Sequence, residues 1–163
     1  MPTNNAINSK NRIYQVITNS VGTRIDCTTV MPSDDTIPQN TEGDEVLTVT
    51  ITPVSATSQL EIQFMTSISQ TNSNTSTLVT YALFQDATLN ALTAQSALVG
   101  DSTSSTNFYL SYIMTSGTTS ATTFKIRVGA GDGTSTVMIN GRSTPVQVFN
   151  GVAATTLTVK EIL

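Results

Sequence analysis

The sequence predicts an all-β protein: antiparallel strands arranged as a sandwich, jelly roll or barrel, preceded by a short β arm. Three observations carry this. Apolar and polar residues alternate with period two in three separate stretches: Leu47, Val49 and Ile51 against Thr48, Thr50 and Thr52; Leu60, Ile62 and Phe64 against Gln59, Glu61 and Gln63; Phe124, Ile126 and Val128 against Thr123, Lys125 and Arg127. That period is the mark of a strand with one face in a core and one in water. Turn-forming clusters recur at roughly 8–12-residue spacing, as in sandwiches and barrels. No stretch holds a long helical period.

Taken in order, residues 1–11 are polar and Asn-rich. Residues 12–18 form a strand candidate with Ile13, Gln15 and Ile17 on one face and Tyr14 and Val16 on the other. A turn around Gly22 leads to a second, more polar strand over residues 24–31. Together they read as a hairpin too short to stand alone, which must lie on the main domain or on a neighbouring chain. Residues 34–45 form an acidic connector holding Asp34, Asp35, Glu42, Asp44 and Glu45, five of the eleven acidic residues. Within it Pro38 fixes its own φ and pushes Ile37 towards extended geometry, and Gly43 supplies a turn just before Glu45 opens a strand. The expected organisation is therefore an arm over 1–33, a connector over 34–45 and a β domain over 46–163.

Two strands of that domain are apolar on both faces. Residues 78–85 read as a central strand or one covered by a second surface. Residues 107–115 read as carrying a core face and an oligomer face, with Phe108, Leu110 and Tyr112 as the candidate subunit contacts. Residues 86–100 are ambiguous between a short helix and a strand. Asn140-Gly141 is a type I′ hairpin signal, and Pro145 points to an edge or bulge. Residues 156–163 close the chain as a strand, giving about eight strands in the body and two in the arm.

Composition excludes whole classes of function. Of 163 residues only 11% are charged, the net charge is −4, and 49 residues are Ser or Thr. The seven basic residues are scattered, so no phosphate-tracking surface and no nucleic-acid partner is expected. No apolar run approaches the roughly 20 residues of a membrane span, and the polar N-terminal stretch shows no leader-like apolar run. There is no His. That removes Ser-His-Asp and Cys-His nucleophile arrangements and His-ligated zinc. Cys27 is alone, so the one disulfide open to it is interchain; without His beside it, it reads as a small buried or interface side chain.

Three motifs invite chemistry and lose to plainer readings. The connector's carboxylates are an oxygen-rich set suited to Ca²⁺, but their spacing is not that of an EF-hand. Gly129-Ala130-Gly131-Asp132-Gly133 has the glycine content of a phosphate loop without its Gly-Lys-Ser/Thr ending. Glu61, Asp86, Asp101 and Glu161 include no pair that spacing selects as a glycosidase acid and base. No cofactor, metal or catalytic residue is expected.

Other pieces occur in a recognisable order: Gln15-Val16; Asp34-Asp35-Thr36-Ile37-Pro38-Gln39; Glu42-Gly43-Asp44-Glu45; Ile51-Thr52-Pro53; Ala56-Thr57-Ser58; Ala82-Leu83-Phe84-Gln85-Asp86; residues 124–129; Asn140-Gly141; Phe149-Asn150-Gly151; and the closing Glu161-Ile162. Over residues 14–162 this series resembles a β-rich module of tailed-bacteriophage virion proteins found in tail fibres, spikes and head fibres. The module is similar to trimeric jelly-roll or tumour-necrosis-factor-like sandwiches. The resemblance implies an antiparallel β-sandwich or jelly roll in a virion, assembled as a homotrimer. It implies a structural and adhesive role without catalysis, with docking to capsid, collar or tail through the arm. A lectin-like module recognising host surface glycan is the alternative. Its candidate receptor loops are 69–77 with Asn72 and Asn74, 101–106 with Asp101, and 129–134 with Asp132.

Overall fold

The computed structural model describes residues 12–144 and 146–163. Ten strands and one 3₁₀ turn make up its regular structure: β1 (Ile13–Val21), β2 (Ile25–Cys27), β3 (Asp44–Ile51), β4 (Gln59–Gln70), β5 (Thr77–Gln85), β6 (Thr93–Val99), β7 (Thr106–Thr115), β8 (Thr122–Ala130), β9 (Val137–Ile139) and β10 (Thr155–Ile162), with the 3₁₀ turn at Phe149–Gly151. All pairings are antiparallel. Within the ambiguous stretch 86–100, residues 93–99 form strand β6 and the residues before them a turn, with no helix; Pro145 lies outside the described residues.

One sheet runs β1-β10-β4-β7 and the other β3-β8-β5-β6. That interleaved order is jelly-roll connectivity, two Greek keys folded face to face. Ile68 pairs with Thr106 of β7 on one side and with Ile139 of β9 on the other. So β9 lies on the same side of β4 as β10 and continues its line. The two are one interrupted strand, with residues 140–144 and 146–154 looped out between them. β1 and β2 are interrupted in parallel fashion, since β1 pairs with β10 and β2 with β9.

The arm strands therefore do not form a hairpin with each other. Each finds a longer partner in the main sheet, where the ladder is continuous. Gln15 Nε2 donates to Thr52 O and Asn19 Nδ2 to Thr48 O, both at 2.9 Å, which ties β1 to the facing sheet. The type I′ hairpin is absent too. Asn140 is left-handed at φ 55°, but Gly141 is not, and the chain closes only where Val148 N donates to Asn140 O.

The core lies between the sheets. Leu60, Ile62 and Phe64 of β4, Val79, Tyr81 and Leu83 of β5, Phe124, Ile126 and Val128 of β8 and Leu157 and Val159 of β10 are all buried there. Each set is spaced by two, as a pleated strand requires. Phe108 and Leu110 belong to this core. Phe108 stacks on Tyr81 with ring centroids 4.7 Å apart, and Tyr112 packs half-buried against the same cluster. This corrects two of the three expected subunit contacts, Phe108 and Leu110: a side chain 2% or less exposed within a single chain cannot meet a neighbour. The outward residues of β7 are the alternate ones, Tyr109 (53% exposed) and Ile113 (56%).

Candidate functional site

Four surface regions can carry function: a strap formed by the end of the arm and the connector, the loop end, the outer face of the β1-β10-β4-β7 sheet, and a groove beside the looped-out residues 140–144 and 146–154.

Residues 28–43 cross the outer face of the β3-β8-β5-β6 sheet. Met31 is fully buried there against Ala82 and Phe84, with Ala91 and Ala94 beside them. This is why β5 is apolar on both faces. Gly129 allows the approach: a Cβ on it would stand 2.4 Å from Thr29 O and 2.8 Å from Met31 N. Gly43, at φ 61°, turns the strap into β3 and donates to Val30 O at 2.9 Å. Arg127 donates to Glu42 O at 2.8 Å and Gly43 O at 2.7 Å. Asn40 and Gln39 hold the loop before β6, with Asn40 N donating to Leu89 O and Gln39 Nε2 to Asn90 Oδ1, while Ala91 N donates to Pro38 O.

The connector's acids serve backbone groups separately. Asp34 caps Thr36, and Glu42 accepts from Gln39 N. Asp44 accepts from Thr28 N, Thr29 N and Thr29 Oγ1. Glu45 stands 4.0 Å from both Lys125 and Arg127, while Asp35 and Ile37 are exposed. Partial burial pushes the Asp44 carboxyl up, but the Thr28 and Thr29 donors and the Arg127 charge outweigh it and hold the group below its ordinary value. Among the described residues no three acidic or Cys side chains converge on one point. Cys27 is fully buried; burial, with Asp44 and Asp26 nearby, pushes its thiol up to about 12.

The three candidate receptor loops meet at one end of the sandwich. Ser102 N donates to Asn72 O and Thr71 N to Thr136 O. Gln70, fully buried, donates to carbonyls of Asn72, Thr75 and Gly100. The singled-out side chains are engaged within this cluster. Asn72 Oδ1 accepts from Asn74 N, Asp101 caps Thr103, and Asp132 caps Thr134 and Ser135. The remaining carboxylates are likewise occupied. Glu61 pairs with Lys160 at 3.0 Å, and Asp86 accepts from Thr123 N. Glu161 is fully buried and accepts from Gln15 Nε2, Val54 N and Ser58 Oγ at 2.6, 2.9 and 2.7 Å. Burial raises the Glu161 carboxyl and this ring of donors, Ser58 foremost, brings it below its ordinary value.

The outer face of the β1-β10-β4-β7 sheet has no strap. Its registered rows are Val16–Lys160–Glu61–Ile113 and Thr18–Thr158–Gln63–Ser111, with Met65 opposite Tyr109. Tyr14, Val16, Met65, Tyr109 and Ile113 are each more than half exposed. Thr18 and Thr158 lie 3.0 Å apart, and Lys160 bridges Glu61 and Gln63.

At the end of this face is a groove of about 530 Å³, lined by Met65 and Ser67 of β4, Ser105 and Asn107 before and on β7, and Arg142 and Phe149 of the looped-out segment. Asn140 anchors that segment. Its Nδ2 donates to Val21 O at 2.8 Å and its Oδ1 accepts from Thr155 Oγ1 at 2.9 Å. Arg24, paired with Asp26, donates to Arg142 O at 2.9 Å. Phe149 and Asn150 both have left-handed backbones, φ 50° and 52°. Such a conformation costs a bulky residue roughly 1–3 kcal/mol, yet Phe149 remains 77% exposed. This site is not legible in the sequence, where Phe149-Asn150-Gly151 enters only as one piece of the resemblance to the phage module.

No protein-family model matches the chain, and no curated protein matches it. Solved structures with a partly similar course include the C-terminal domain of EclA, described as a sugar-binding protein (15% identity, TM-score 0.39, covering 71% of this chain and 72% of that one). They also include infectious bursal disease virus, Gt strain (13% identity, TM-score 0.38, 95% of this chain and 38% of that one). A further one is the enzymatically active domain of tailspike protein 4 of bacteriophage CBA120 (13% identity, TM-score 0.24, 93% of this chain and 20% of that one).

Proposed function

We propose that this jelly roll is a non-catalytic structural domain of a tailed-phage virion surface, assembled as a homotrimer through the outer face of the β1-β10-β4-β7 sheet. The observation that carries the proposal is the inequality of the two outer faces. One is covered in part by the chain's own strap, which seats Met31 on Ala82 and Phe84 and leaves Leu78 and Leu98 exposed; the other carries no strap and leaves Val16, Tyr109 and Ile113 more than half exposed around a polar centre. Burying a large apolar side chain from full exposure contributes roughly 1.5–3 kcal/mol, and about half of that remains for a neighbouring copy to gain at each of these positions. The ordered series of motifs from Gln15-Val16 to Glu161-Ile162 supports the virion assignment. Docking to capsid, collar or tail belongs in this reading to the N-terminal segment, whose β1 ends its sheet.

Light scattering of the purified chain at micromolar concentration should give three times the monomer mass, and Ile113→Arg should give the monomer. A wild-type monomer would sink the assembly. Antibody-labelled virions viewed by negative stain would show whether the domain sits on head, collar or tail. A second reading, a glycan-binding receptor module, is favoured by one observation: an exposed aromatic held over a groove.

A further inference from the structure

We propose that the groove beside residues 140–154 binds an acidic saccharide, the sugar ring stacking on Phe149 and its carboxylate pairing with Arg142. The proposal rests on the glycan-binding reading above and gives it a site and a ligand class.

The looped-out segment interrupts what would otherwise be one continuous strand, and the interruption makes the groove. Its volume of about 530 Å³ suits one or two sugar rings. Phe149 is placed by a left-handed turn and buries almost nothing, so neither local backbone preference nor core packing accounts for an aromatic there. An apolar ring face standing free over a groove is a platform for the C–H face of a sugar.

The charge complements an acid. Arg142 lines the groove, and its Nη2 donates to Ser105 Oγ at 2.8 Å. The described residues place no carboxylate within ion-pair distance of it, whereas Arg24 next to it is neutralised by Asp26. Residues 1–11 and 145 contain no Asp or Glu. In a chain of net charge −4, the groove thus holds a cation without a counter-charge. A guanidinium at a groove wall recognises a carboxylate better than a neutral hydroxyl. Ser67 and Asn107 supply the neutral groups that hydroxyls need.

The test uses the full chain with a galacturonic-acid trisaccharide and, as control, a galactose trisaccharide of the same linkage. Binding is read by calorimetry and by saturation-transfer NMR. Wild type should prefer the acidic trisaccharide, and the preference should shrink with added salt. Arg142→Gln should weaken acid binding by about tenfold or more and abolish the preference. Phe149→Ala should weaken both ligands, with Phe149→Tyr restoring them. Should Arg142→Gln fail to fold, Asn107→Asp, at an exposed position, should selectively weaken the acidic ligand. No binding of either trisaccharide at millimolar concentration overturns the proposal, as does wild-type binding by the Arg142 or the Phe149 variant. Light scattering on the same samples separates the two readings. A trimer that binds nothing sinks the groove alone, and a monomer that binds sinks the assembly alone.

Discussion

The two outer faces of this sandwich are built on the same pleat and meet opposite fates. On β3-β8-β5-β6, small residues let the chain come down on itself: Gly129 admits the backbone of Thr29 and Met31, and Ala82 and Ala94 leave room for Met31 beside Phe84. On β1-β10-β4-β7 the corresponding positions carry Thr158, Gln63, Tyr109 and Ile113, and nothing from the described residues crosses them. A strand apolar on both faces therefore has two meanings. In β5 the second face is satisfied within the chain at Ala82 and Phe84, while Leu78 stays 46% exposed. In β7 it stays exposed, with Tyr109 and Ile113 each more than half open.

The sharpest way to test that difference is to truncate neighbours on one strand. Phe108→Ala should cost about 3–5 kcal/mol in urea unfolding, because it removes a ring stacked on Tyr81 in the core. Tyr109→Ala should leave the unfolding free energy of the monomer within about 0.5 kcal/mol while lowering the trimer fraction. Equal losses would erase the distinction between the two faces of β7.

The strap comes next. Met31→Ala should cost about 2–5 kcal/mol, since Met31 is fully buried against Phe84. Met65→Ala on the bare face, at a position 53% exposed, should cost far less. Gly43→Val forces a β-branched residue to φ 61° and places its Cβ 2.8 Å from the Met31 methyl. Combined with Pro38→Ala it should raise amide exchange across residues 28–43. Unchanged exchange would mean that the strap is not held by its turn.

Acid should act on both sheets, through Asp44 of β3 and Glu161 of β10. Each titrates below its ordinary value when folded. The stability that each contributes is complete above its ordinary value, 3.8 for Asp44 and 4.5 for Glu161, and is lost as pH falls through the lower folded value. Asp44→Asn should flatten the acid limb of a stability-against-pH curve, and Glu161→Gln should flatten it separately. A curve unchanged by both would show that other groups govern the acid limb.

The smallest effect concerns Cys27. Buried, with its thiol pushed up to about 12, it should resist alkylation at pH 8 in the folded chain and react once the chain is unfolded in urea. Rapid native labelling would mean that the junction of β2 and the strap opens readily.

Much of this architecture could be read from local pattern. Period-two alternation located β3, β4 and β8, and turn clusters separated them. The doubled apolar faces of β5 and β7 were visible, as was a connector whose Pro38 and Gly43 suit a bent path. What the pattern could not supply was parity. Alternation states that Phe108, Leu110 and Tyr112 share a face and that Tyr109 and Ile113 share the other, but when both faces are apolar nothing local says which is inward. Register with β4 decides it, through pairs such as Phe64–Leu110. The partners of the arm strands, the seating of Met31 on Phe84, and the groove under Phe149 are likewise products of contacts between residues far apart in the chain. Sequence alone determined which residues lie together on a strand. Tertiary structure decided what each face meets, because burial is a property of the packed sheets and no single strand possesses it.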